Sequence, residues 1–233
     1  MRIYNDPVEM VKEVERDLFE MGLRVDCHTV QDKNVEGDSD YQNLELFGYT
    51  YRLTSFTSQK LSEMIAYMKG NEEWAKHELV DRLSPEYINP GKAYKKWEKV
   101  WKPFLRDGTF SYTYNQRIRD QLPCVIQELK KRPNSRQAII TVYDKHLDMN
   151  NWGGLDRVCC SLYYQLFYRS GKLNMIYSMR SCDFLTHFVH DVYFAIGILR
   201  YVAKELDWDV GFFIHFLGSL HAFRKDMEGR GIF

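Results

Sequence analysis

The sequence predicts one domain of mixed α and β structure, α/β or α+β, covering residues 1–233. Three observations predict it. Helical spacing recurs through the first 131 residues around a single strand-like run, and strand-like runs gather after residue 138. No repeat and no linker divides the chain. Its 233 residues, 45% hydrophobic and 15% aromatic, suffice for one substantial core and exclude a disordered chain.

Each element has a local reason. Asp6-Pro7 reads as a cap followed by proline at the first helical position. Val8, Val11, Val14, Leu18 and Met21 then keep helical spacing up to Gly22. Residues 30–42 are polar, with Asp-Lys-Asn and Glu-Gly-Asp-Ser-Asp runs, and are expected to be loop. Alternation and aromatics predict a strand over 44–53. Thr57 or Ser58 caps a helix carrying Leu61, Met64, Ile65 and Met68, ending near Gly70. Ser84-Pro85 and Asn89-Pro90-Gly91 form a polar connection to a helix around Trp97 and Val100. A further helix covers 118–131, before Pro133. Residues 138–143, 159–168 and 173–179 read as strands, the last two joined by Arg169-Ser170-Gly171-Lys172. Residues 184–206 are mostly apolar, the pattern of a buried helix, and 210–217 form a last strand.

Lys plus Arg and Asp plus Glu both number 32, so no global basic field attracts nucleic acid, and none is expected as a partner. A local patch can still bind phosphate. No apolar run is long enough to span a bilayer, and the N-terminus does not read as a signal peptide, so no membrane is expected. The five cysteines, Cys27, Cys124, Cys159, Cys160 and Cys182, are odd in number and irregularly spaced. That pattern predicts a reduced, cytoplasmic protein with one active thiol. No CxxC pair exists, and no metal is expected.

The segment Cys159-Cys160-Ser161-Leu162-Tyr163-Tyr164-Gln165, followed by Arg180-Ser181-Cys182-Asp183, pairs a thiol with an anion clamp on adjacent predicted strands. A thiolate is a soft, strong nucleophile, and it needs nearby cations such as Arg180 or Arg136 to lower its pKa. Arginine presents a planar fork that matches phosphate oxygens, and serine adds a hydroxyl. With Gly218-Ser219-Leu220-His221, this spacing resembles the thymidylate synthase family.

That resemblance covers most of the chain and is strongest over residues 135–221. It implies a mixed sheet with flanking helices, paired back to back in a homodimer. It implies a pyrimidine nucleoside monophosphate and 5,10-methylenetetrahydrofolate as substrates, and a covalent bond from cysteine to C6 of the base. Counting back from Gln165 and Gly171-Lys172-Leu173 selects Cys160 as nucleophile, with Cys159 on the opposite face of the strand. Arg180 and Ser181 match the phosphate-holding pair, and Ser135-Arg136-Gln137 resembles the segment that reaches across the dimer. Gln137 replaces its second arginine, and no N-terminal arginine of the family has a clear match. Ser62-Glu63-Met64-Ile65 resembles the helix bearing the family's catalytic glutamate. Gly108 to Tyr114 resembles its tyrosine segment, which nominates Glu63 and Tyr112 for proton transfer. His221 falls on the sugar-contacting histidine, with Phe223 where the family has tyrosine. The resemblance assigns Asp183 and Trp97 to folate, and Gln165 and Asp183 to the nucleotide as well.

Two departures bear on the base. Asp191 falls where the synthases carry the asparagine that reads uracil, and Ser161 replaces the histidine after the nucleophile. Asparagine matches uracil O4 and N3–H. Cytosine reverses both positions, and an aspartate can accept from N4–H₂ and serve N3. Deoxycytidylate hydroxymethylases of phages, members of this family, carry an aspartate here. The resemblance therefore points to hydroxymethylation of dCMP or CMP, in a host cytoplasm if the gene is a phage's. Methylation of dUMP or dCMP stays open. So does an idle nucleotide-binding dimer, because the sequence ends at Phe233, where family members usually continue with a segment that closes over folate.

Overall fold

The computed structural model describes residues 1–30, 33–152 and 156–230. The chain opens with strand β1 (Arg2–Tyr4) and helix α1 (Pro7–Met21). Asp6 caps α1 by accepting from the Val8 and Glu9 amides, and Met10, Val11, Val14 and Leu18 are its buried stripe. Strand β2 (Leu23–Val25) follows. The stretch expected to be loop instead carries a small ladder, β3 (Thr29–Val30) against β4 (Lys33–Asn34), and a 3₁₀ turn at Ser39–Tyr41. Gln31 and Asp32 of that stretch lie outside the described residues. Local backbone pairing, which polar composition does not encode, makes the difference.

Strand β5 (Asn43–Leu53) and helix α2 (Ser58–Tyr67), capped by Thr57, fall where expected. Helix α3 (Glu72–Leu83) was not anticipated, because one of its few buried positions is Arg82 and its apolar stripe is broken. Asn71 caps it, accepting from the Trp74 amide at 2.9 Å, and Glu72 and Glu73 sit at the positive end of its dipole.

Around Trp97 and Val100 the expected helix shrinks to a single turn, α4 (Glu98–Trp101), between 3₁₀ turns. The expected helix over 118–131 is two: α5 (Tyr114–Ile118) and α6 (Gln121–Lys131). Pro123 has no N–H for the carbonyl four residues back, so a continuous helix breaks there. Strand β6 (Ile139–Thr141) and the short α7 (Lys145–Asp148) come next.

The principal pairings are β7 (Ser161–Arg169), β8 (Lys172–Met179) and β9 (Cys182–Asp183). Then come the buried helix α8 (Phe188–Leu206), strand β10 (Asp209–Phe223) and α9 (Arg224–Glu228). Among the described residues the main sheet has eight strands, in the order β1-β5-β10-β8-β7-β6, with β2 on β5 and β9 on β10. Its pairings mix parallel (β10 with β8) and antiparallel (β7 with β8).

One row across the sheet packs under α8: Tyr164, Tyr177, His215 and Tyr51 are register neighbours. Tyr164 stacks on Tyr177 at 4.5 Å, Tyr177 on His215 at 4.9 Å, and the Tyr51 hydroxyl lies 2.9 Å from His215 Nδ1. This ladder fixes the register at the strand ends that carry the site, since a one-residue slip would move every ring to the other face.

Candidate active site

Strand β7 begins at Ser161, two residues later than expected, and the reason is chemical. Arg180, just past β8, takes the carbonyls that a neighbouring strand would use. Its Nε donates to Cys159 O at 2.8 Å and its Nη2 to Val158 O at 2.9 Å. The Arg180 amide donates to Cys160 O at 2.9 Å. A register shift between Ser161 and Tyr163 completes the kink.

Cys160 is therefore not on a strand. Its sulfur lies 3.8 Å from Arg180 Nη2, half-buried at the wall of a cavity of about 580 Å³. Cys159 is fully buried, its thiol donating to Ser161 O at 3.3 Å, and burial pushes its pKa up to about 12. The two thiols thus have opposite surroundings: one faces cavity and cation, the other faces the core.

Arg180 and Ser181 sit in the gap between β8 and β9, pushed out beside β10. The Ser219 amide donates to Arg180 O at 3.0 Å, and a Cβ on Gly218 would meet that oxygen at 2.9 Å, so residue 218 must be glycine for the strands to approach. Ser181 Oγ lies 3.5 Å from His221 Nδ1, which is 3.4 Å from Ser219 Oγ; Ser219 in turn donates to Glu45. Burial lowers the His221 pKa to about 4, so its ring is neutral at pH 7. Asp183 accepts from the Leu185 and Thr186 amides at 3.1 and 3.2 Å and lines the same cavity. Burial raises its pKa, against those hydrogen bonds.

Asp191, on the first turn of α8, is buried at the cavity wall. Burial pushes its pKa up to about 7, against the pull of the Arg82 guanidinium; the Cys182 thiol lies 3.7 Å from Oδ2. Arg82 went unnoticed in the sequence. Its guanidinium lies between the rings of Tyr114 (3.7 Å) and Phe194 (3.9 Å), and Nε donates to Glu78 Oε1 at 2.8 Å. His190, beside Asp191 in sequence, is structural: Nε2 accepts from the Asn71 amide at 3.0 Å, and Nδ1 faces Thr186 O at 3.2 Å.

A single cavity thus joins a thiol, an arginine–serine pair, a neutral histidine and a buried carboxyl that titrates near neutrality. The sequence model of the family described as thymidylate synthase matches residues 44–230, which include all of them. The chain belongs to the thymidylate synthase family. It is 26% identical over 198 residues to a thymidylate synthase of Mycoplasma genitalium, covering 84% of this chain and 56% of that protein. The chain therefore spans just over half the length of that curated relative. In fold it resembles thermostable thymidylate synthase A from Bacillus subtilis (TM-score 0.71, 16% identity, 97% of this chain and 82% of that one). It also resembles the thymidylate synthase from T4 phage (TM-score 0.68, 20% identity, 94% and 78%). These likenesses carry the fold: a mixed sheet with flanking helices.

Of the residues the sequence nominated, the cavity gathers Cys160, Tyr112, Arg180, Ser181, Asp183, Asp191 and His221. Four others do not line it. Glu63 lies on the outer face of α2, where it accepts from Gln59 at 2.9 Å and pairs with Lys60 at 3.3 Å. The reason is the stripe: Leu61, Met64 and Ile65 take the buried side of that helix. Trp97 packs between Trp74 and His190 instead, and Trp101, one helical turn on, lines the cavity. Gln165 lies on the sheet face away from α8, its Nε2 donating to Arg136 O at 2.9 Å. Arg136 is exposed.

The cavity also takes in residues that the sequence did not offer. Tyr114 lines it beside Tyr112, and Ser161 Oγ donates to the Tyr114 hydroxyl at 3.1 Å, next to the cysteine. Lys33 of β4 lines it too, a cation from the N-terminal region where no phosphate arginine was found. Neither had a signal beyond type: contact across more than forty residues of sequence is invisible in a local pattern. Among the described residues no helix is long and apolar enough to cross a membrane.

Proposed function

We propose that this chain transfers a one-carbon unit from 5,10-methylenetetrahydrofolate to C5 of a cytosine nucleotide, dCMP or CMP, and releases the 5-hydroxymethyl product. Membership of the family supports the reaction class. The observation that carries the base assignment is Asp191, buried at the cavity wall with its pKa near 7. Such a carboxyl holds or releases a proton at neutral pH. It can accept from N4–H₂ while giving N3 its proton, which leaves the ring electron-poor at C6.

In this reading Arg180 and Ser181 hold the phosphate and the neutral His221 contacts the sugar. The Cys160 thiolate adds to C6, and the electron pair gained at C5 attacks the folate methylene. Loss of the C5 proton and departure of tetrahydrofolate leave an exocyclic methylene. Water adds to that carbon, and expulsion of Cys160 restores the C5–C6 double bond. Tyr112 and its neighbour Tyr114 supply hydroxyls that can relay protons, and burial keeps Tyr112 protonated. Asp183 serves the folate side.

A homodimer belongs to the same proposal. Ile139, Gln165, Ile176 and Ile214 form one row across the sheet face away from α8, and Ile139 and Phe216 there are 39% and 40% exposed. Pairing of two such faces would bury this surface and bring Arg136 to the neighbour's phosphate. Methylation of dUMP is the second reading, favoured by the relative named thymidylate synthase. Incubation with methylenetetrahydrofolate and dCMP, CMP or dUMP, read by mass spectrometry, decides. A gain of 30 Da on a cytosine nucleotide supports the proposal; a gain of 14 Da on dUMP alone overturns it.

A further inference from the structure

Arg157 precedes Cys160 by three residues, and its setting is unusual for a cation. It is 7% exposed. Its guanidinium stands 4.9 Å from the Tyr112 ring centroid, 5.1 Å from those of Trp101 and Phe104, and 5.8 Å from that of Phe110. Among the described residues no carboxylate lies within ion-pair distance of it, and Glu78 acts on it only at longer range. It lines the cavity that Cys160 and Asp191 line.

A buried charge is costly unless it is paired and hydrogen-bonded. The rings lower that cost through their negative faces, but they accept none of the five N–H donors in the guanidinium plane. Those donors are left for whatever enters the cavity. The nucleotide's polar groups already have partners under the proposed function: phosphate at Arg180 and Ser181, base edge at Asp191. Beside Arg157 the cavity also presents the rings of Trp101 and Phe104, tilted 56° to one another, and the Trp101 indole offers a face to a second planar ring.

We propose that Arg157 is a binding residue for the one-carbon donor, its guanidinium donating to an acceptor on the donor's ring, such as a ring carbonyl, as that ring lies against Trp101. This rests on the folate-dependent reading above. An aromatic cage holds the planar fork in one orientation, so little rotamer freedom remains to be lost on binding.

The test is calorimetric, on protein saturated with whichever of dCMP and dUMP it binds more tightly, with tetrahydrofolate as titrant. Arg157→Gln is expected to raise the tetrahydrofolate Kd by about tenfold or more, the loss typical of a hydrogen bond to a charged group. The nucleotide Kd should stay within about twofold, because no nucleotide contact is removed. Arg157→Lys keeps the charge and should recover part of the loss. Weakened nucleotide binding with folate binding intact would overturn the proposal. So would equal folate affinity in the wild type and Arg157→Gln, with both proteins matched in melting temperature. If the wild type binds nucleotide and no tetrahydrofolate at all, the folate-dependent reading itself fails.

Discussion

The Arg180 guanidinium lies 3.8 Å from the Cys160 sulfur while donating to the carbonyls of Cys159 and Val158. One side chain therefore places the thiol and supplies it with positive charge. It is also the arginine of the proposed phosphate clamp, so under the proposed function nucleotide binding and nucleophile activation would share a residue.

Cys160→Ala should abolish turnover and the covalent adduct that a 5-fluoropyrimidine nucleotide leaves on the protein, read by intact mass. Cys159→Ala should keep most activity and lose about 1 kcal/mol of stability, since Cys159 sits in the core away from the cavity. The reverse result would move the nucleophile by one residue.

Asp191→Asn should narrow or reverse the preference for cytosine over uracil in kcat/KM. A mismatched edge leaves buried polar groups unpaired, a loss of roughly 2–4 kcal/mol. Full reversal is expected to need Ser161→His as well. A wild type that prefers dUMP would end the cytosine reading.

Asp191 also makes stability depend on pH. Its folded pKa of about 7 stands above the ordinary 3.8, so between those values the folded state binds the proton more tightly than the unfolded state. Stability should fall as pH rises through that window, by at most about 1.4 kcal/mol per pH unit, and level off above it. Urea unfolding of the wild type and Asp191→Asn from pH 5 to 9 isolates this term; parallel curves would place Asp191 in solvent.

Glu63→Gln should leave kcat and KM within about twofold, because Glu63 pairs with Gln59 and Lys60 on the outer face of α2. A loss of a hundredfold or more would mean that α2 turns this carboxylate inward when substrates bind.

Mixing inactive Cys160→Ala with inactive Arg136→Ala should restore activity in heterodimers if Arg136 serves the neighbouring subunit. Each mixed dimer would hold one intact site. No recovery despite subunit exchange would remove Arg136 from the shared site.

Much of the fold was legible in the sequence because its signals are local. The Asp6 and Thr57 caps, the spacing of Val11, Val14 and Leu18, and the apolar run of α8 each act within a few residues, and those elements stand where they were expected. The family resemblance carried by Cys160, Arg180-Ser181 and His221 also pointed to most of the cavity, Asp191 included. Helix α3 escaped because its core position is Arg82, whose burial depends on Glu78, Tyr114 and Phe194 rather than on its own polarity.

Tertiary structure decided what spacing alone could not. Glu63 and Trp97 carried plausible patterns, but helix packing turned both from the cavity and offered Trp101 and Tyr114 in their place. Arg180 took the carbonyls before β7 and so moved Cys160 off the strand. Arg157, an ordinary surface residue by type, became a caged cation. Sequence determined which chemical groups this protein owns and the local elements that carry them. Burial and the choice of hydrogen-bond partner, set by contacts distant in the chain, decided which of those groups meet in one cavity and in what protonation state.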